Sequence, residues 1–216
     1  MTEGYQVVHL DDLDSFPIPN QDGLTWRPVR RRFEIQAFGV NAYTAEQAGQ
    51  RVVEEHRETN GHEELYVVIR GRATFTLDGD EHDAPAGTLV YCTPDTLRSA
   101  FAAEPGTTVL GVGAKPGEVF QPSGWEWTFA GFSYLEQGDP ERARAALEAG
   151  AAARGDAWQG HYNLACFEAL TGDREAALRR LARAAELAPD EVRRVAAAEQ
   201  DFASVRDDPR FLALVS

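Results

Sequence analysis

His62 and Glu64 stand two residues apart, so on a continuous strand an imidazole and a carboxylate face the same way. The other reading of His62, directly after Gly61, is a loop residue pointing at solvent. Cys92 is by type a soft ligand or a nucleophile, yet no histidine pairs with it in sequence. Cysteine is among the residues most often buried, so a core position is expected for it. Other catalytic patterns are weaker. Gly111-Val112-Gly113 is followed by AKPGE, without the helix-opening third glycine of a nucleotide fingerprint, and Lys115 there reads as a loop lysine. No serine sits in a nucleophile elbow, and neither Cys-x-x-Cys nor His-Glu-x-x-His occurs.

The elements that must position these residues change character near 116–122. Before it, runs of β-branched and aromatic residues at 33–40, 51–55, 64–69, 73–77, 88–92 and 107–112 alternate with turn signals. Leu77-Asp78-Gly79-Asp80 and Pro85-Ala86-Gly87 read as turns between such runs. Strands at this spacing predict an antiparallel sandwich or barrel. After the boundary the chain is alanine-rich, with apolar residues at helical spacing and turns written Gly-Asp. An offset of 34 aligns Trp127 with His161, Gly131 with Ala165, Gly138 with Gly172, Asp139 with Asp173, Ala143 with Ala177 and Leu147 with Leu181. The amphipathic stretch 190–199 and a helix expected over 209–215 would cap one end. Trp125 and Trp127 are candidate anchors at the other. The predicted fold class is α+β: an antiparallel β-barrel over 1–119, then α-helical hairpin repeats over 120–216, with repeats at about 124–157 and 158–191.

Composition narrows the partners. The formal charge is −14, with 35 acidic and 21 basic residues. Both halves are acidic, so neither offers the positive surface that a nucleic acid requires. Arg30-Arg31-Arg32 is the sole basic cluster, and on a strand entry it reads as a solvated face or as internal salt-bridge partners. Asp11, Asp12 and Asp14 read as an exposed turn or helix cap. No stretch approaches the roughly 20 apolar residues of a membrane span, and the acidic start lacks the regions of a signal peptide. Cys92 and Cys166 lie in segments of different type, so no disulfide is expected and a cytoplasmic location is.

Residues 61–71, GHEELYVVIRG, and 83–94, DAPAGTLVYCTP, resemble the two blocks of the cupin superfamily, a double-stranded β-helix barrel that usually carries one metal ion. Glu64, six residues, then Gly71 matches the end of the first block. The histidine positions that precede it hold Glu58 and Asn60, or Arg57 and Thr59; one extra turn residue would place His56 and Glu58 there instead. In the second block, Thr93-Pro94-Asp95 follows Gly87 at the expected distance, and Arg98 stands where the family keeps its last histidine. A guanidinium has only donors and stays protonated, so it cannot ligate a metal. The resemblance therefore implies that Arg98 pairs with Glu64 or Glu58, or that it binds an anionic ligand. The 34-residue repeat resembles the tetratricopeptide repeat. Glu168 departs from that pattern where a tyrosine is usual, and Phe167 beside it is the substitute.

These resemblances imply three functions. The favoured one is a non-catalytic or ligand-sensing cupin whose pocket of Glu58, Glu64, Tyr66 and Arg98 binds a small, anionic molecule without metal. The rival is a metal-dependent oxygenase or isomerase that holds a divalent ion on His56, Glu58, His62 and Glu64. The third makes the barrel structural and leaves a protein partner to the helical repeats. A homodimer is also expected, because open sheet edges need covering.

Overall fold

Short runs of period two become strands because alternate side chains are buried while their neighbours stay wet. The structure is a computed structural model that describes residues 5–18, 23–120, 124–153, 155 and 157–215. The chain divides into two units, Met1–Pro122 and Ser123–Ser216. The first holds strands β1 (Phe16–Pro17), β2 (Leu24–Arg27), β3 (Gly39–Ala45), β4 (Arg51–His56) and β5 (Glu63–Arg70). It continues with β6 (Arg72–Leu77), β7 (Asp80–Pro85), β8 (Leu89–Cys92), β9 (Arg98–Ala102) and β10 (Thr108–Ala114), and a short helix, α1 (Val29–Phe33), precedes β3.

All pairings are antiparallel, in a six-stranded sheet of order β1-β2-β3-β10-β5-β8 and a four-stranded sheet of order β4-β9-β6-β7. The expected barrel is thus two hydrogen-bonded sheets rather than one closed cylinder. Their buried faces supply a shared core: Tyr66 and Val68 of β5, Phe75 of β6, Val90 and Cys92 of β8, Ala100 and Ala102 of β9, and Val109 of β10. Burying a side chain the size of Phe75 or Val68 contributes about 1.5–3 kcal/mol.

Turn chemistry sets the register. Asp78 and Gly79 take φ of 49° and 100°, as a two-residue hairpin between β6 and β7 requires. Gly71 links β5 to β6 at φ 69°, and a Cβ there would lie 2.5 Å from Thr107 Oγ1. No other residue fits that corner.

Two sequence expectations fail here. The run 33–40 is not a strand: Pro28 leads into α1, Glu34 closes it in the left-handed region, and the strand begins at Gly39. The three arginines are therefore helical. Arg30 is buried and Nη1 donates to Ile35 O at 3.3 Å, while Arg32 Nη1 donates to Gln6 Oε1 at 2.7 Å.

The second unit holds α2 (Gly124–Glu136), α3 (Pro140–Ala153), α4 (Trp158–Leu170), α5 (Arg174–Leu187), α6 (Pro189–Ala198) and α7 (Pro209–Val215). Starts step by the same 34 residues, from 124 to 158 and from 140 to 174. Asp139 and Asp173, in the Gly-Asp turns, accept 3.0 Å hydrogen bonds from the amides of Arg142 and Ala176 at the openings of α3 and α5. A ladder of rings, Trp158, Tyr162, Phe202 and Phe211, runs through the core with centroids 5.6–5.8 Å apart. Both cysteines are free and buried. Among the described residues, no helix is long and apolar enough to cross a membrane.

Candidate functional site

The alternation of β5 sends Glu64, Tyr66 and Val68 to one face and leaves Leu65 and Ile69 on the other, more exposed one. Glu64 lies opposite Cys92 on β8 and Gly113 on β10. On the other sheet, β9 turns Arg98 inward with Ala100 and Ala102. The carboxylate and the guanidinium therefore meet between the sheets.

Glu64 Oε2 is the centre of the arrangement. Tyr66 Oη donates to it at 2.6 Å, Arg98 Nε lies 3.4 Å away and His56 Nε2 lies 3.5 Å away. Arg98 has no exposed side-chain surface, and Glu64 retains 18%. The rest of the guanidinium is engaged by backbone: Nη2 donates to Thr93 O at 3.0 Å and Nη1 to His56 O at 3.4 Å. Two of its donors are thus spent on backbone carbonyls, while Nε lies beside the Glu64 carboxylate without a hydrogen bond of its own. His56 pairs with Arg98 across β4 and β9, which fixes the imidazole beside the same carboxylate.

The electrostatics follow from this geometry. Burial opposes the charge on Glu64, but the bonds from His56 and Tyr66 and the charge of Arg98 together hold the carboxyl below its ordinary 4.5. The hydrogen bond to Glu64 raises His56 above its ordinary 6.5, against the effects of burial and Arg98. His56 Nδ1 faces Glu54 O at 2.8 Å. A carbonyl can only accept, so Nδ1 donates; Nε2 facing a carboxylate must donate as well, and the ring is favoured as imidazolium. Burial, then the charge of Glu64, pushes the Tyr66 hydroxyl far above its usual range, which keeps it a donor. Burial also raises the Cys92 thiol, partly countered by Arg98.

Glu58 completes the rim. One donor atom from each of His56, Glu58 and Glu64 lies within 4.8 Å of the others. His62 is not one of this group. It precedes β5, meets the Phe120 ring in a tilted contact at 5.9 Å and places Nδ1 3.8 Å from Glu58 Oε2. Gly61, at φ 79°, turns the chain just before His62, and the strand begins only at Glu63, so His62 reaches Glu58 from the loop that leads into β5.

Three ligands of two types suited to a transition ion, one imidazole and two carboxylates, thus converge, with the Arg98 charge beside them. A cation among them would face a guanidinium fixed 3.4 Å from the same oxygen that must ligate it. Arg98 already supplies positive charge at that oxygen, which opposes a cation there.

Sequence reasoning passed over Gly111 and Gly113, read as a failed nucleotide motif. A Cβ on Gly113 would approach Glu64 Cγ to 3.2 Å, and one on Gly111 would approach the Tyr66 ring to 3.4 Å. The two glycines make room for the carboxylate and the phenol. Their two-residue spacing, matched to Glu64 and Tyr66 on a neighbouring strand, was the available signal. Lys115, which follows them, pairs with Glu118 at 2.6 Å.

No family model matches the chain, and no curated protein matches it. Solved structures do. A cupin described as a sugar phosphate isomerase, from Silicibacter pomeroyi, is 18% identical over 51% of this chain and 76% of its own, with a TM-score of 0.44. A cupin protein from Bacteroides fragilis is 20% identical over 56% of this chain and 92% of its own, at 0.40. An RmlC-like cupin from Desulfovibrio desulfuricans is 25% identical over 37% of this chain and 74% of its own, at 0.34. All three scores lie below 0.5, and neither activity nor metal is transferred from them to this chain.

Proposed function

We propose that the first unit is a metal-free cupin that binds a small polar molecule, and that Arg98 stands in place of the ion. One observation carries this reading: a fully buried guanidinium 3.4 Å from Glu64 Oε2. A net positive group beside the interior carboxylate keeps it ionised without a cation. The partly exposed groups that remain for a ligand are Glu58, Glu64, His56 and His62, two acceptors and two donors. They suit a neutral molecule carrying hydroxyl or amino groups better than an anion. The second unit is read as a tetratricopeptide-like module, a reading supported by the 34-residue step and its capping aspartates.

A second reading, a metal-dependent enzyme, rests on the convergence of His56, Glu58 and Glu64. Elemental analysis of untagged protein separates the two. The metal-free reading expects no ion that depends on Glu64. Near-stoichiometric iron, manganese or zinc that is lost in Glu64→Ala and kept in Cys166→Ser would establish the second. Thermal shifts with a panel of small polyols and amines then test binding: a stabilisation abolished by Glu58→Gln supports the pocket, and a flat panel removes it.

A further inference from the structure

The helical unit carries its own cluster of ligating groups, separate from Glu64 and its neighbours. Tyr162 and Cys166 are four residues apart on α4, so both point from one face of the helix. That face meets the turn of 3-10 helix Gln200–Ser204, whose cap is Glu199 and whose first turn holds Asp201. Donor atoms of Cys166, Glu199 and Asp201 all lie within 4.8 Å of one another. Cys166 is 3% exposed and Tyr162 8%.

The cluster is short of positive charge. Among the described residues, no arginine, lysine or histidine forms an ion pair with Asp201 or Glu199. The neighbouring Arg206 is engaged elsewhere, with Nη1 donating to Ala197 O at 3.1 Å and Nη2 to Glu199 O. Glu199 Oε1 accepts from the amides of Gln200 at 2.8 Å and Asp201 at 3.4 Å, which leaves its second oxygen for a ligand. Tyr162 Oη is buried and points at the Cys166 thiol, without a hydrogen bond of good geometry to any group. A buried phenol left with a poorly aligned thiol is an independent sign that something else belongs there. Two carboxylates and a thiol are thus gathered on one spot, where a single cation would offset their negative charge.

We infer that Cys166, Asp201 and Glu199, with Tyr162 at the wall, form a site for one thiophilic divalent cation of the zinc class. Sulfur excludes magnesium and calcium, which take oxygen. Zinc accepts a thiolate together with carboxylate oxygens at about 2.0–2.3 Å, which places tetrahedral donors about 3.5 Å apart. The cluster needs to contract by about 1 Å, within the reach of two half-buried acidic side chains on a short turn. Binding expels the thiol proton, so affinity rises with pH.

The test is a Co2+ titration of the full chain, read by the near-ultraviolet sulfur-to-cobalt charge-transfer band and followed by displacement with Zn2+. One equivalent is expected to give the band in the wild type and in Cys92→Ser, and none in Cys166→Ser. Asp201→Asn, a half-buried turn residue, is expected to weaken Co2+ by at least tenfold with an unchanged far-ultraviolet spectrum. Glu64→Gln is expected to have no effect, which separates this site from the first unit. Absence of the band in the wild type overturns the proposal, as does a band that survives Cys166→Ser or an Asp201→Asn affinity equal to wild type.

Discussion

Arg98→Met removes the buried positive charge and keeps most of the side chain's length. Two unit charges 3.4 Å apart attract by about 5 kcal/mol at an effective dielectric of 20, before the cost of burying the guanidinium is subtracted. Breaking such a pair from one side costs about 3–5 kcal/mol, because the surviving charge is left uncompensated. Here Glu64 keeps Tyr66 and His56, so about 3 kcal/mol is expected. Part of that loss comes from Thr93 O and His56 O, which lose their donors. A double-mutant cycle with Glu64→Gln cancels that part, since both carbonyls are orphaned with or without the carboxylate. The coupling energy is expected at about 2 kcal/mol, and the double variant at greater stability than Arg98→Met alone. Hydrogen exchange by mass spectrometry on the full chain reads this locally in peptides from β5 and β9, with α4 and α5 as internal controls. Coupling below about 0.5 kcal/mol would refute an interior ion pair that stands in for a metal.

The pH dependence has a defined window. Glu64 titrates below its ordinary value, so its stabilisation is present above about 4.5 and is lost as pH falls through the folded value. His56 titrates above its ordinary value, so its contribution is complete below about 6.5 and is lost as pH rises through the folded value. The melting temperature of the first unit is therefore expected to peak between these limits, and His56→Gln should flatten the alkaline side and, by removing one of the groups that hold Glu64 low, reduce the acid side as well. Tyr66→Phe removes a 2.6 Å bond to an ionised carboxylate and should cost about 1.5–3 kcal/mol by urea denaturation, with Glu64 titrating at higher pH. Gly71→Ala should destabilise by more than about 1 kcal/mol in the same assay, because φ is 69° and the new methyl meets Thr107.

Elements were legible wherever local pattern and burial agreed. The runs behind β4, β5, β6, β8 and β10 alternate and sit in the core, and α6 and α7 follow their apolar spacing and prolines. β7 was missed because its first four residues are polar and only Ala84 is buried; its strand state comes from pairing with β6 across the Asp78-Gly79 turn. β9 was missed because it opens with a charged residue, whose burial depends on Glu64 from a distant strand. β3 was displaced by six residues because Phe33 and Ile35 suggest a strand, while the helical turn after Pro28 holds the backbone otherwise. The site was legible as a list of residues: spacing placed His56, Glu58, Glu64, Tyr66 and Arg98 near one another. What spacing could not carry is direction. Whether Arg98 faces a ligand or two backbone carbonyls is decided by Thr93 and by the register of β4 against β9. The cluster of Cys166, Glu199 and Asp201 was invisible for the same reason, since 33 residues separate Cys166 from Glu199 and only the packing of α4 on the following turn brings them together.

Isothermal titration with Mn2+, an oxygen- and nitrogen-seeking ion with little affinity for the thiolate cluster, addresses Arg98 most directly. The wild type is predicted to bind no Mn2+ that depends on Glu64, and Arg98→His, which restores an imidazole, to gain about one equivalent that Glu64→Gln removes again. Mn2+ bound by the wild type and released by Glu64→Gln would contradict the account.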